Sequence, residues 1–191
     1  MASAWSSSNS TSTRPRRAER IAHPGGTLLE HLDRVAALLA EWDVGAPVQL
    51  AGLCHAAYGT DGFATPLLRL DERALLAETI GSEAEQLVYL YASCDREQVY
   101  PQLAGPVADF ADRFTGTRHV PPAAALRAFV EITAANELDV VRLNRELADQ
   151  HGAGLAALFA NAGRHLSEPA RQAWARWRSR TGPDAGAAGD R

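Results

Sequence analysis

The chain has 191 residues, enough for one domain with a sizeable buried core. Its 46% hydrophobic and 22% charged residues are ordinary for a globular protein, and a formal charge of −4 gives no basic footprint for nucleic acid or an anionic membrane. Every basic side chain is arginine, which excludes chemistry through a lysine Schiff base.

The first twenty residues are rich in Ser and Thr, carry Arg14, Arg16, Arg17 and Arg20, and lack the apolar run of a signal peptide, so 1–20 reads as a mobile tail. Thr27-Leu-Leu-Glu30 has the form of a capping box and opens a helix to about Trp42. Leu28, His31, Val35, Leu38 and Leu39 fall near one face of it. Gly45 ends this segment, and Pro47 suits the first turn of a second helix that carries Leu50, Ala51, Leu53, Cys54 and His55. Tyr58-Gly-Thr-Asp-Gly62 breaks it with a glycine turn.

Asp71 begins a short helix. Ser82-Glu-Ala-Glu85 resembles a second capping box, and the helix it opens should run to about Val99 and stop at Pro101. A helix is expected near 106–114. Pro121-Pro122 then introduce the longest one, over about 123–150, which Gly152-Ala-Gly154 should break. Helices near 154–164 and 168–179 end the body, and 181–191 reads as a second tail. No β-alternation stands out. The expected fold is all-α, a single bundle of about seven or eight helices over 21–180. No apolar stretch is long enough to span a bilayer, and Cys54 and Cys94 lie in apolar runs, as reduced thiols of a cytoplasmic protein would.

Two helices each bring one histidine inward, His31 and His55. Buried imidazoles need hydrogen-bond partners or a metal. They are therefore either satisfied core histidines on unrelated faces or two walls of a pocket. Tyr58 and Thr60 follow His55 directly, so in the pocket reading they form its rim and contact substrate. Asp95 and Arg96 read equally as a helix-end ion pair or as site residues, with Arg96 able to clamp a carboxylate or phosphate. His119, His151 and His165 fall near predicted helix ends and should face water. Trp174 and Trp177, three apart, should pack on the body.

His31-Leu-Asp-Arg-Val35 and Leu50-Ala-Gly-Leu-Cys-His55 resemble the first two metal-binding segments of the HD-domain phosphohydrolase superfamily. In that superfamily an Asp follows the second His, and a later helix supplies another Asp. Here Ala56 follows His55, and Asn136 in Ala134-Ala-Asn-Glu-Leu-Asp139 stands where the second Asp is expected, with Asp139 one turn further on. The wording of His23-Pro-Gly-Gly-Thr-Leu-Leu-Glu-His31-Leu, of Ala51 to Thr60 and of Cys94-Asp-Arg96 is similar to small bacterial proteins of the DUF6817 type.

The resemblance implies an enzyme on a helical scaffold, hydrolase-like, acting on a small molecule. Catalysis would fall to His31, His55, Asp95 and Asn136, and substrate binding to Tyr58, Thr60 and Arg96. With both carboxylates replaced, hard oxygen-seeking cations lose their ligands. A three-imidazole set of His23, His31 and His55 would suit zinc or iron, or the same groups form a metal-free acid/base cavity. The other reading is a catalytically silent binding or regulatory module.

Overall fold

A computed structural model describes residues 18–181. Most of them are helical. A two-residue hairpin comes first, β1 (Ala22–His23) against β2 (Gly26–Thr27), paired antiparallel with His23 opposite Gly26. Eight helices follow among the described residues: α1 (Leu28–Glu41), α2 (Ala46–Cys54), α3 (Arg73–Ile80), α4 (Ser82–Ser93), α5 (Arg96–Val99), α6 (Ala123–Leu143), α7 (Arg145–Asn161) and α8 (Glu168–Thr181). Between α5 and α6, β3 (Phe110–Ala111) pairs antiparallel with β4 (Arg118–His119). None of these helices is long and apolar enough to cross a membrane.

α6 is the axis of the bundle. From Ala128 to Asn136 every residue is buried, a pattern that no surface helix shows and that requires neighbours on all sides. α1, α2, α4, α7 and α8 supply them. Val35, Leu39, Val88, Ala92, Phe110, Phe129, Ile132 and Leu138 are essentially solvent-free and make up the centre. Cys54 and Cys94 are buried free thiols, both pushed up to about 12, chiefly because burial penalises the thiolate.

The chain forms several elements where its sequence signals say. Thr27 Oγ1 accepts from Glu30 N–H, and Glu30 Oε2 accepts from Thr27 N–H at 2.7 Å, a complete capping box at the start of α1. Pro47 sits in the first turn of α2. Trp174 and Trp177 face inward with ring centroids 5.5 Å apart.

Elsewhere the elements depart from the expected ones, through tertiary packing or through a local cap. The helix expected at 106–114 is absent. Phe110 and Ala111 are instead extended, with Phe110 packed edge-on to Phe129. Ser82 does not cap α4, because Glu85 is buried and turned to other partners. The helix expected through Val99 stops at Ser93, and Asp95 caps α5 by accepting from Gln98 N–H at 3.1 Å. The long helix ends at Leu143, since Asn144 accepts from Leu147 N–H and starts α7 afresh. α7 then runs unbroken through Gly152 and Gly154. His165, expected to face water, is buried and donates from Nε2 to the Gly105 carbonyl at 2.7 Å.

Ala18 is buried against Leu28, Leu32 and Ala56, so the expected N-terminal tail packs at its inner end. Its residues 1–17, and 182–191 of the C-terminal tail, lie outside the described residues.

Gly152 shows why a glycine is kept inside α7. A Cβ there would lie against the edge of the Trp177 indole, so α7 and α8 approach too closely for any side chain. Gly152→Ala should cost about 1–3 kcal/mol by overpacking a rigid ring, despite the better helix propensity of alanine. Urea denaturation monitored by tryptophan fluorescence measures it, and unchanged or increased stability would contradict the packing.

Candidate functional site

The site forms where the β1–β2 hairpin, α1, the C-terminal end of α2 and α6 meet. His31 projects from α1 and is completely buried. Its Nδ1 lies 2.7 Å from Asp139 Oδ2 and its Nε2 3.0 Å from Asn136 Oδ1. Asn136 and Asp139 are three residues apart on α6, hence one face of that helix, and together they clasp one imidazole.

The Asn136 amide is oriented by Glu137, whose Oε1 accepts from Asn136 Nδ2 at 3.1 Å. Asn136 Oδ1 therefore faces His31 as an acceptor. Each ring nitrogen of His31 thus lies at hydrogen-bond distance from a side-chain oxygen of α6. Arg34, one turn after His31, grips the same carboxylate through Nε at 2.7 Å and Nη2 at 3.0 Å. Burial opposes the Asp139 charge, but the hydrogen bonds from His31 and Arg34 outweigh it and hold the carboxyl below its usual range.

Two more imidazoles flank His31. His23 stacks on it with ring centroids 4.0 Å apart and planes at 23°. The hairpin places it there: Gly25 at φ 81° and Gly26 at φ 140° make a turn that an L side chain rarely adopts. His55 meets His31 edge-on at 5.3 Å and touches the Tyr91 ring at 5.1 Å. It caps α2, and its Nδ1 donates to the Gly52 carbonyl at 2.7 Å, which leaves the lone pair on Nε2. His23 is lowered to about 4 and His55 to about 3, first by burial and then by the charge of His31. Both are neutral at physiological pH. Nδ1 of His23 is buried with no hydrogen-bond partner among the described residues.

A cavity of about 250 Å³ opens beside this cluster, walled by His23, His55, Thr60, Arg96, Asn136 and Glu137. Arg96 Nη1 pairs with Glu137 Oε1 at 3.0 Å, and Nη2 donates to the Tyr91 hydroxyl at 3.2 Å. Burial works against its charge, but Tyr91, Tyr100 and Glu137 more than compensate and raise its pKa further. Both hydrogen bonds to Glu137 fall on Oε1, so Oε2 is the oxygen left to the cavity.

Of the residues singled out from sequence, His23, His55, Thr60, Arg96 and Asn136 share this cavity, with His31 directly behind it. Tyr58 and Asp95 are not brought there. Tyr58 is buried and donates to Glu85 Oε1 at 2.9 Å, beside the bidentate Arg73–Glu85 pair. Asp95 caps α5. Sequence reasoning passed over Glu137 and Arg34. Their signal was positional: Arg34 lies one helical turn after His31, and Glu137 sits beside Asn136 on the most buried helix.

The donor set does not fit a three-histidine metal centre as arranged. Both His31 nitrogens are engaged, and among the described residues no group of three His, Cys, Asp or Glu side chains is placed to hold a metal ion.

Fold and site together define a small all-α domain built around a clasped histidine, with a polar cavity at its side. Residues 13–96 match the family described as "Domain of unknown function (DUF6817)", which supports that label for the segment carrying His23, His31, His55, Thr60 and Arg96. α6, which supplies Asn136, Glu137 and Asp139, lies beyond the match. No curated protein and no solved structure matches the chain.

Asp139→Ala should destabilise the fold by about 3–5 kcal/mol, because it strands His31 and Arg34 around a buried gap. Chemical denaturation checks this, and a loss below 1 kcal/mol would show that the clasp contributes little. The histidine shifts also set a pH dependence. His23 and His55 bind protons more readily in the unfolded chain, so stability is fully present above about pH 6.5. It falls through the window down to about 4 for His23 and about 3 for His55. The lowered Asp139 adds its own loss only below the ordinary carboxylate range. Thermal melts from pH 8 to 4 should show that decline, with a shallower slope in His23→Gln.

Proposed function

We propose that this protein is a small-molecule enzyme whose acid/base, hydrolase-type chemistry takes place in the cavity beside His31. The observation that supports it is convergence: His55 Nε2 and Glu137 Oε2, two proton acceptors without protein donors, border one small cavity with the fixed cation of Arg96. An imidazole held near 3 orients a hydroxyl or a water as an acceptor. Glu137 is the carboxylate placed to take the proton, and Arg96 offsets negative charge as it develops. His31, held by Asp139 and Asn136, is a positioning residue that keeps the neighbouring imidazoles neutral. The HD-domain likeness of the histidine segments favours hydrolysis among acid/base reactions. The protein would act without a nucleic-acid or membrane partner and in the cytoplasm.

A second reading has its own observation. His31 is fully enclosed and both its nitrogens are bonded, as in a polar core that only holds helices together. In that case the module binds a ligand without turning it over.

A panel of p-nitrophenyl acetate, p-nitrophenyl phosphate and bis-p-nitrophenyl phosphate separates the two. The enzyme reading expects turnover of at least one ester, lowered by about 100-fold or more in both His55→Gln and Glu137→Gln while the melting profile is kept. Full activity in either variant removes that residue's role. No turnover of any ester favours the silent module.

A further inference from the structure

The site cavity does not end at Glu137. A second cavity of about 620 Å³ continues from it, and the two share Gly62, Arg96, Glu137, Val140 and Leu147 as common wall. Both have mixed walls. The inner chamber sets His23, His55, Thr60 and Asn136 beside Leu28 and Phe63. The outer one runs between α6 and α7, with Val141, Leu155, Leu158 and Tyr100 beside Gln150 and His151. Gly62 stands where the chambers meet, and a Cβ there would approach Arg96 Nη1 to 3.4 Å, so a side chain would crowd the passage beside the guanidinium.

Each chamber also has an unmet hydrogen-bonding group in its wall. His23, which lines the inner chamber, and Tyr100, which lines the outer one, each hold a buried polar atom, Nδ1 and the hydroxyl, with no hydrogen-bond partner among the described residues. Such atoms are rare in a folded protein, and both belong to residues that wall this continuous space.

The polarity of the inner chamber narrows that ligand's head. The open groups, His55 Nε2 and Glu137 Oε2, are acceptors, so the head must donate hydrogen bonds. A carboxylate or phosphate would face the Glu137 carboxylate, with which Arg96 Nη1 is already paired at 3.0 Å. Val141, Leu155 and Leu158 give the outer chamber apolar wall against which a tail can pack.

We propose that the two chambers form one site for an uncharged, hydroxyl-bearing head carried on an aliphatic tail, the head among His23, His55 and Glu137 and the tail between α6 and α7. This rests on the cavity assigned above as the active site and names the class of molecule it takes.

Straight-chain 1,2-alkanediols from butane- to octane-1,2-diol are the probes, titrated into the full chain by protein-observed NMR. Affinity should rise about fourfold per added methylene while the tail enters the outer chamber. Hexanoate should bind more weakly than hexane-1,2-diol. Gly154 lines the outer chamber and a Cβ there meets nothing within 4 Å, so Gly154→Phe is the substitution chosen to narrow the chamber. It should keep butane-1,2-diol binding and abolish the chain-length dependence. Leu155→Ser, which leaves the chamber open but less apolar, should flatten the dependence in part. A flat series in the wild type, a slope unchanged in Gly154→Phe, or tighter binding of hexanoate overturns the proposal. Diols that bind with the expected slope beside esters that are never hydrolysed defeat the enzyme reading alone. Ester turnover with a flat diol series defeats this inference alone.

Discussion

The contact between His31 and the α6 pair Asn136 and Asp139 is the one on which the rest of the site depends. It joins α1 to the central helix across more than a hundred residues of chain, in a place nearly without solvent. A polar group there is tolerated only because every hydrogen-bonding atom is met. Asp139 answers Nδ1, Asn136 answers Nε2, Arg34 completes the carboxylate, and Glu137 fixes the amide. The same contact sets the electrostatics of its neighbours, since the charge of His31 is the second cause of the lowered pKa values of His23 and His55.

The replacement of expected acids by Ala56 and Asn136 takes on meaning in this geometry. A carboxylate at 136 would place a second negative group on His31 and beside Glu137. The amide instead accepts from His31 with one end and donates to Glu137 with the other, and so links imidazole to carboxylate. The arrangement is coherent as a hydrogen-bonded cluster without a cation, whereas its donors would have to be redirected to surround one.

Much of the scaffold was legible because it follows from short-range chemistry. The Thr27 capping box, Pro47 in the first turn of α2 and the apolar stripe through His31 each depend on residues within one or two helical turns. Two failures are local caps, at Asp95 and Asn144, that split longer helical stretches, and in the others distant residues decided the outcome. Phe110 is drawn into an extended segment by Phe129, Glu85 leaves the end of α4 for Tyr58 and Arg73, and Gly152 serves helix packing where a break was expected. The site was readable to the same depth. His31 and His55 announce themselves by burial pattern and His23 by its motif, but the role of Glu137 appears only when α5 and α6 bring Arg96 and Asn136 to one of its oxygens.

The two cysteines carry a consequence beyond packing. Both are enclosed in the folded chain, and both resist ionisation. Thiolate is the reactive form, so neither sulfur meets an alkylating or oxidising reagent until the surrounding helices separate. Cys54 lies at the end of α2 beside His55, and Cys94 just after α4, so the two report on different parts of the same wall. Their rates of labelling thus become a native clock for opening around the cavity, one sulfur timing the departure of α2 and the other the loosening of the segment that holds Arg96.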